Sequence, residues 1–194
     1  MLKSLIKIAC FTLMVWLMNG SVFGRTAMLS DSMAPALRAT LFSQDLVLVD
    51  KLSLKFRDPE RGEVVHMRFK APDKPEELFF KRVGALPGER LEIRDGRLII
   101  NGTTIDSPAP YHVLRYTNEG HASAGTVLEV ASDAWFVLGD NSFDSYDSRY
   151  WGGLKKSDML GLAAMIVWPP DRFGRIVAAN PDGNSNEKPH GTGK

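Results

Sequence analysis

The chain has 194 residues, of which 44% are hydrophobic, and a formal net charge of +1 at neutral pH. This length and apolar content suffice for one domain with a buried core and a small additional element, and the near-zero charge gives no reason to expect a nucleic-acid partner. The single cysteine, Cys10, excludes an internal disulfide framework, and the absence of CxxC and HExxH spacings argues against a metal site.

Residues 1–24 differ in kind from the rest of the chain. Lys3 and Lys7 precede an apolar run over residues 8–18. Taken as a helix, residues 5–23 would be about 28 Å long, enough to cross the hydrocarbon core of a bilayer. A cleavable secretory signal has the same charged start and short apolar centre. Because "SVFG" is a weak cleavage site, we predict an uncleaved membrane anchor with a cytoplasmic N-terminus and the remaining chain translocated.

Past residue 25 the pattern is mostly that of strands. The predicted strands, in chain order, are "DLVLVDK", "RGEVVHMRF", "ELFFKRVGAL", "RLEIR", "RLII", "TTI", "TVLEV", "AWFVL" and "MLGLAAMIVW". The first is a continuous apolar run, typical of a strand buried on both faces, and the last is a strand or a short helix followed by a strand. Asp95-Gly96 and Asn101-Gly102 are strong hairpin signals, which predict a β-meander.

The remaining segments divide the chain into the predicted anchor, a β domain and a C-terminal tail. "TVLEV" and "AWFVL" are predicted to form a further hairpin, joined by "ASDA". Residues 107–124 are irregular and polar, and residues 180–194 lack apolar side chains and are predicted to be disordered. Hairpin turns without a βαβ rhythm indicate a mainly β, antiparallel domain over residues 25–179.

Two segments contain candidate nucleophilic chemistry. "SDSMAPAL" places Ser30 and Ser32 just beyond the predicted anchor, where both could instead be turn or N-cap serines. Lys81 follows three apolar residues in a predicted strand, where burial would lower its pKa, although an edge-strand lysine would point at water. A neutral amine could take the proton of a serine hydroxyl. Neither the histidines nor Cys10 show a converging pattern, although a Ser-His-Asp triad stays open because its members converge only in space.

A third segment, "GDNSFDSYDSRYWG" at residues 139–152, carries many short polar side chains directly after the apolar run "AWFVL". Such a density predicts either a loop that bonds to itself or one that holds another group in place.

These three segments together resemble the motifs of the type I signal peptidases. "SDSMAPAL" is similar to the serine box of that family, "KRVGALPGE" to its lysine box, and "GDNSFDSYDSRYWG" to its third box, in the family's order and behind an N-terminal anchor. The resemblance runs from the anchor to Trp168. The third box is the most specific, because a long run of particular small and charged residues is improbable by chance.

The resemblance implies roles at the matching positions. Ser32 would be the nucleophile and Lys81 the general base. The backbone N–H of Ser32 and the hydroxyl of Ser30 would form the oxyanion hole. Ser145 would hydrogen-bond the lysine amine and orient it.

The same resemblance implies supporting roles around this pair. A charged network would hold the third segment against the lysine strand, and it comprises Arg82, Asp140, Asp147 and Arg149. Asn141 and Ser148 would satisfy backbone groups.

The resemblance implies a membrane-anchored serine endopeptidase that would cleave signal peptides from exported preproteins on the trans side of the membrane, without a metal or cofactor. The substrates would have small residues at the first and third positions before the cut and would bind as an extended strand. Membrane lipids would be the other partner. A lysine base fits the bacterial and organellar branch, so a bacterial inner or plasma membrane is expected.

Three alternatives stay open. One is a specialised relative, such as a conjugation-linked pilin-processing peptidase or an organellar inner-membrane peptidase. The self-cleaving SOS repressors share the Ser-Lys mechanism, but the predicted anchor and the absence of a helical DNA-binding domain argue against them. The third is a non-catalytic anchored β-domain in which the serines are purely structural.

Overall fold

A computed structural model describes residues 23–27, 30–34, 39–40, 43–70, 75–106, 111 and 114–176. Residues 1–22 of the predicted anchor and the predicted disordered tail lie outside these ranges. Among the described residues, no helix has the length and apolar character that crossing a membrane requires.

Over these ranges the secondary structure is almost entirely extended. The strands are β1 (Phe23–Ala27), β2 (Ala39–Thr40), β3 (Ser43–Gln44), β4 (Leu46–Asp50), β5 (Val64–Phe69), β6 (Glu77–Ala85), β7 (Arg90–Arg94), β8 (Arg97–Ile100), β9 (Thr103–Thr104), β10 (Leu128–Glu129), β11 (Ala134–Leu138), β12 (Leu154–Lys155) and β13 (Met159–Trp168). The α-helix is α1 (Ser148–Trp151). Short 3-10 turns occur at Asp31–Met33, Ser53–Lys55, Gly120–Ala122, Ser142–Asp144, Lys156–Asp158 and Pro170–Arg172.

Antiparallel pairing organises these strands into sheets. The main sheet has seven strands in the order β1-β4-β13-β5-β6-β11-β12, a second sheet has the order β10-β7-β8-β9, and β2 pairs with β3. Neighbouring strands run antiparallel throughout these pairings. The predicted mainly antiparallel β domain is therefore confirmed, and the undecided segment "MLGLAAMIVW" is the single strand β13.

The first described strand overlaps the end of the segment predicted to be the anchor. β1 starts at Phe23, so Phe23 and Gly24, which the prediction assigns to the anchor, are strand residues paired with Asp50 and Val49 of β4. β4 also differs from its prediction. Its burial alternates along the strand instead of covering both faces, because one face packs into the core while the other is only half-buried.

Both predicted turns of the meander are present. The strands β7 and β8 meet at Asp95 and Gly96, with φ of 51° and 75°, and β8 and β9 meet at Asn101 and Gly102, with φ of 52° and 84°. Positive φ at both central residues is the requirement of the two-residue turns that match strand twist. The meander comprises β7, β8 and β9, whereas β6 belongs to the main sheet.

The predicted hairpin between "TVLEV" and "AWFVL" is wrong. Leu128 of β10 pairs with Leu91 of β7, and β11 pairs with β6 and β12. The reason is burial: every residue of β11 is buried, so this strand needs a neighbour on each side within the main sheet. Val130 instead bonds to Glu89, which ties β10 to the smaller sheet.

The smaller sheet packs against one face of the main sheet. Leu91, Ile93 and Leu98 share a core cluster with Phe136 and Leu138 of β11. The irregular segment, which the sequence predicts to be polar, contributes to the same cluster through Tyr111, Leu114 and Tyr116. This packing fixes the end of β11 beside the middle of β6, where Leu138 pairs with Arg82.

Candidate active site

Lys81 lies in the middle of β6 and is buried, with 1% of its surface exposed. Its Nζ lies 2.6 Å from the Oγ of Ser32 and 3.1 Å from the Oγ of Ser145. The structure therefore brings together three residues that are 49 and 64 positions apart along the chain.

Burial lowers the pKa of Lys81 to about 8. Removing an ammonium group from water disfavours the charged form, and the nearby positive charge of Arg149 acts in the same direction. The carboxylates of Asp147 and Asp140 oppose the shift without cancelling it. At neutral pH a pKa near 8 leaves about a tenth of the amine unprotonated, whereas an exposed lysine has almost none in that form.

Ser32 lies on the 3-10 turn Asp31–Met33, which follows β1. The next residue, Met33, is fully buried and packs with Val47 and Val49 of β4, which holds the turn against the main sheet. Ser32 itself is 5% exposed, and its Oγ lies 3.2 Å from the Oγ of Ser30. The two serines and the amine thus form one short hydrogen-bonded chain.

The loop after β11 hydrogen-bonds to the backbone of this turn. The backbone N–H of Asn141 donates to the carbonyl of Ser32 over 3.0 Å, and its side-chain amide donates to the carbonyl of Asp31 over 3.3 Å. Asn141 therefore holds the backbone of the serine turn, in keeping with the backbone role expected for it.

A glycine permits this close approach. A Cβ at Gly139 would overlap both the Ser145 hydroxyl and the Ser32 carbonyl. The backbone N–H of Gly139 donates to Asp147 over 3.0 Å. A larger residue at this position would separate Ser145 from Lys81.

The charged residues expected to form one network form two separate ion pairs. Arg82 donates to both carboxylate oxygens of Asp140, over 2.7 and 2.6 Å, and both side chains are buried. Because Arg82 belongs to β6 and Asp140 to the loop, this pair joins the lysine strand to the loop.

The second pair lies within the loop. Arg149 donates to both carboxylate oxygens of Asp147, over 2.8 and 3.0 Å, and neither side chain is exposed. The Ser148 Oγ accepts the backbone N–H of Val137 over 2.9 Å. These bonds fold the loop back on the end of β11.

Two further partners of Arg149 could not be identified from the sequence. Its Nη1 donates to Ser142 Oγ over 2.7 Å and to Thr117 Oγ1 over 2.5 Å. Ser142 belongs to the third motif, but nothing in the irregular segment around Thr117 marks that residue. The role of Gly139 was not predicted either, although this residue opens the third motif.

A cleft of about 380 Å³ opens over the amine and the two hydroxyls. Its lining residues are Ser30, Ser32, Phe79, Lys81, Phe143, Asp144, Ser145, Tyr146 and Tyr150. A peptide bond entering this cleft would meet the Ser32 hydroxyl directly.

The described histidines do not take part in this arrangement. His66 is buried in β5, where its ring stacks on Phe80 at 4.7 Å, and neither ring nitrogen has a hydrogen-bond partner within the described part of the chain. His121 is exposed, and neither residue lines the cleft. The two other histidines lie outside the described ranges.

A buried lysine whose pKa is lowered and whose amine contacts a serine hydroxyl is the arrangement found in serine hydrolases that use lysine as the base. The family model described as "Signal peptidase, peptidase S26" matches residues 1–168. The chain therefore belongs to the signal peptidase family, whose members are serine endopeptidases, and the resemblance drawn from its motifs is confirmed.

Individual relatives support the assignment. The chain is 34% identical over 151 residues to a probable signal peptidase I-2 of Synechocystis, covering 76% of this chain and 64% of that protein. It is 32% identical over 152 residues to a signal peptidase I of Leptolyngbya laminosa, covering 76% and 70% respectively. A thylakoidal processing peptidase of Arabidopsis thaliana is 31% identical over 169 residues, covering 81% and 47%.

A solved structure is also similar to this chain. The signal peptidase I from Enterococcus faecalis covers 56% of this chain and 98% of its own length, at 29% identity and a TM-score of 0.42. The family assignment rests on the sequence matches.

Proposed function

We propose that this protein is a membrane-anchored serine endopeptidase that removes N-terminal signal peptides from exported preproteins. The observation that carries the proposal is the 2.6 Å contact between the buried amine of Lys81 and the hydroxyl of Ser32, in a chain of the signal peptidase family.

The reaction follows from this contact. Neutral Lys81 takes the proton of Ser32, whose Oγ attacks the scissile carbonyl and forms a tetrahedral intermediate. The Ser32 N–H and the Ser30 hydroxyl donate to the oxyanion. As the C–N bond breaks, the Lys81 ammonium returns its proton to the leaving amine. Lys81 then removes a proton from water, which attacks the ester carbonyl. As the bond from the acyl carbon to Ser32 Oγ breaks, the Lys81 ammonium returns that proton to Ser32 Oγ.

Ser145 and the two ion pairs support this chemistry by positioning Lys81. A lysine side chain has several rotatable bonds, so a second hydrogen bond at Nζ selects the rotamer that faces Ser32. Arg82 and Asp140 hold the loop that carries Ser145 against β6, and Asp147 with Arg149 holds its shape.

The substrate and the location follow from the family and from the sequence. The preprotein would bind as an extended strand, with small residues at the first and third positions before the cut. Lys3 and Lys7 ahead of the apolar run favour a cytoplasmic N-terminus, which puts the catalytic domain on the trans side of the membrane beside its lipids. A bacterial inner or plasma membrane is the expected location.

The test is cleavage of a purified preprotein in detergent by the full chain, with the cut mapped by mass spectrometry. The wild type should cut after a small residue, whereas Ser32→Ala and Lys81→Met should stay folded by circular dichroism and lose cutting. Ser123→Ala, which changes an exposed serine hydrogen-bonded to Thr126, is the matched control and should cut normally. Undiminished cutting by the Ser32 or Lys81 variant would refute the site. Cutting of a pilin precursor alone, among a panel of preproteins, would instead indicate a specialised relative.

A further inference from the structure

The position of the catalytic amine shows which part of the cleft receives the leaving polypeptide. In a Ser-Lys mechanism the lysine that deprotonates the nucleophile later protonates the amine that departs. The nitrogen of the scissile bond must therefore come within hydrogen-bond distance of Lys81 Nζ. Ser145 Oγ lies 3.1 Å from the same Nζ, so a leaving chain whose nitrogen contacts Nζ would pass close to the loop that carries Ser145.

Two aromatic side chains border that path. Phe143 and Tyr146, which flank Ser145 at two positions before and one after, both line the cleft. Phe143 is 84% exposed and Tyr146 is 53% exposed. Large apolar rings that remain open to water beside a reacting centre are available to bury a ligand side chain.

The structure holds one of these rings in position. Tyr146 contacts the ring of Phe69 edge-on at 5.8 Å between centroids, and the ring of Tyr150 at 5.4 Å. Tyr150 lines the same cleft, so the ring of Tyr146 forms part of the cleft surface and is held there by its neighbouring rings. The ring of Phe69 also lies 5.0 Å from the ring of Trp151, and both residues line a neighbouring cleft of about 350 Å³.

We propose that Phe143 and Tyr146 form a subsite for the first residues after the cut, and that this subsite favours apolar or aromatic side chains there. The inference rests on the proposed function, because it concerns the leaving group of that reaction. The occupant is the N-terminus of the mature protein, and the rings act by burying its side chains rather than by any step of bond making.

Partitioning of the acyl-enzyme tests the subsite. When a preprotein-derived peptide has acylated Ser32, an added amino-acid amide competes with water: its amine attacks the ester carbonyl, transfers a proton through Lys81 to Ser32 Oγ, and forms a new peptide bond. The acid and amide products are separated by mass spectrometry. Their ratio depends on the leaving-group side of the cleft and not on the rate of acylation.

The wild type should favour phenylalanine amide over glycine amide by about tenfold, the size expected for partly burying an aromatic ring. Phe143→Ala and Tyr146→Ala should each reduce this preference several-fold, and Phe143→Tyr should retain it. Phe56→Ala is the matched control, because Phe56 is 81% exposed and does not line the cleft, and its ratio should equal that of the wild type.

Equal use of the two amides by the wild type, or an unchanged preference in both alanine variants, would overturn the subsite while leaving the peptidase assignment intact. Failure of the wild type to hydrolyse any preprotein-derived peptide would remove the proposed function and the subsite with it. These results are distinguishable, because the first two require active enzyme.

Discussion

Lys81 shows how a residue that suits catalysis destabilises the fold around it. At pH 7 the native protein must protonate a buried amine whose pKa is about 8, whereas the unfolded chain protonates an ordinary lysine with a pKa of 10.5. The native state therefore binds its proton less tightly. This penalty is complete below pH 8 and fades as the pH rises toward 10.5.

Lys81→Met removes that penalty while keeping an unbranched apolar stem. The variant should be more stable than the wild type at pH 7 by on the order of 2 to 3 kcal/mol. The gain comes from the lowered pKa, at 1.36 kcal/mol per pKa unit, and the loss of the two hydrogen bonds of Lys81 offsets part of it. Urea unfolding at pH 7 and pH 10 measures the effect. A gain that failed to shrink at the higher pH, or a loss of stability at pH 7, would contradict the lowered pKa of the buried amine.

Ser145 tests the positioning role separately from the chemistry. Ser145→Ala leaves Lys81 with its contact to Ser32 but removes the second bond at Nζ, so the amine explores other rotamers. We expect kcat to fall by up to about a hundredfold with little change in KM, because misplacing a catalytic group affects the transition state more than substrate binding. A change confined to KM would show that Ser145 binds substrate instead.

Among the secondary-structure elements, turns between neighbouring strands could be predicted from the sequence, whereas pairing between strands distant along the chain could not. Asp95-Gly96 and Asn101-Gly102 specify their own turns through positive φ, so both hairpins of the meander were predictable. The partner of β10 was not, because a two-residue strand carries no signal that distinguishes β7 from β11. Its place is decided by the backbone bonds of Val130 to Glu89 and Gly88.

The candidate site shows the same division. Ser32, Lys81 and Ser145 belong to linear motifs, so the sequence identified them, and the structure brings them into contact. Thr117 carries no motif, because its role is to accept a bond from Arg149 across a gap of 32 residues. The separation of the charges into two ion pairs was equally inaccessible, since pairing depends on which side chains the folded loop places together.

The buried ion pair between Asp147 and Arg149 should contribute to the stability of the fold. Asp147→Asn keeps the side-chain shape but removes the buried carboxylate partner of Arg149, whose remaining ion pair is with the partly exposed Glu119 at 3.6 Å. This loss should lower the unfolding free energy by about 3 kcal/mol. The pair of Lys155 and Asp133 is the matched control. Both of its side chains are about two-thirds exposed, so Asp133→Asn should change stability by less than about 1 kcal/mol.

Chemical denaturation at neutral pH measures both variants. Equal, small effects would show that the Asp147 and Arg149 pair contributes no more than a surface pair. Asp147→Asn should also reduce cleavage, because the bond from Gly139 that folds the loop toward Ser145 loses its charged acceptor.

For the molecule as a whole, His66 limits the stability of the fold at acidic pH. Burial, together with the positive charge of Lys51, lowers the pKa of His66 to about 4 from its ordinary value of 6.5. Between these values the unfolded chain binds more protons than the native state. Stability is therefore lost as the pH falls from 6.5 toward 4, by on the order of 3 kcal/mol in total from this one group.

His66→Leu should flatten that part of the stability curve, whereas His121→Leu, which changes an exposed histidine, should leave it unchanged. Thermal unfolding from pH 7 to pH 4 provides the comparison. The wild type and the His66 variant would show parallel curves if the buried ring did not control acid stability.

The proposed mechanism depends on Lys81, with its pKa lowered by burial, acting as the base that activates Ser32. The most direct test is the pH dependence of kcat/KM for cleavage of a signal-peptide substrate, which reports the pKa of the essential base in the free enzyme. We predict that kcat/KM rises with pH to a plateau with an apparent pKa of about 8, and that Lys81→Met abolishes cleavage at every pH. A rise centred near the 10.5 of an ordinary lysine or the 6.5 of an ordinary histidine would contradict this role of Lys81.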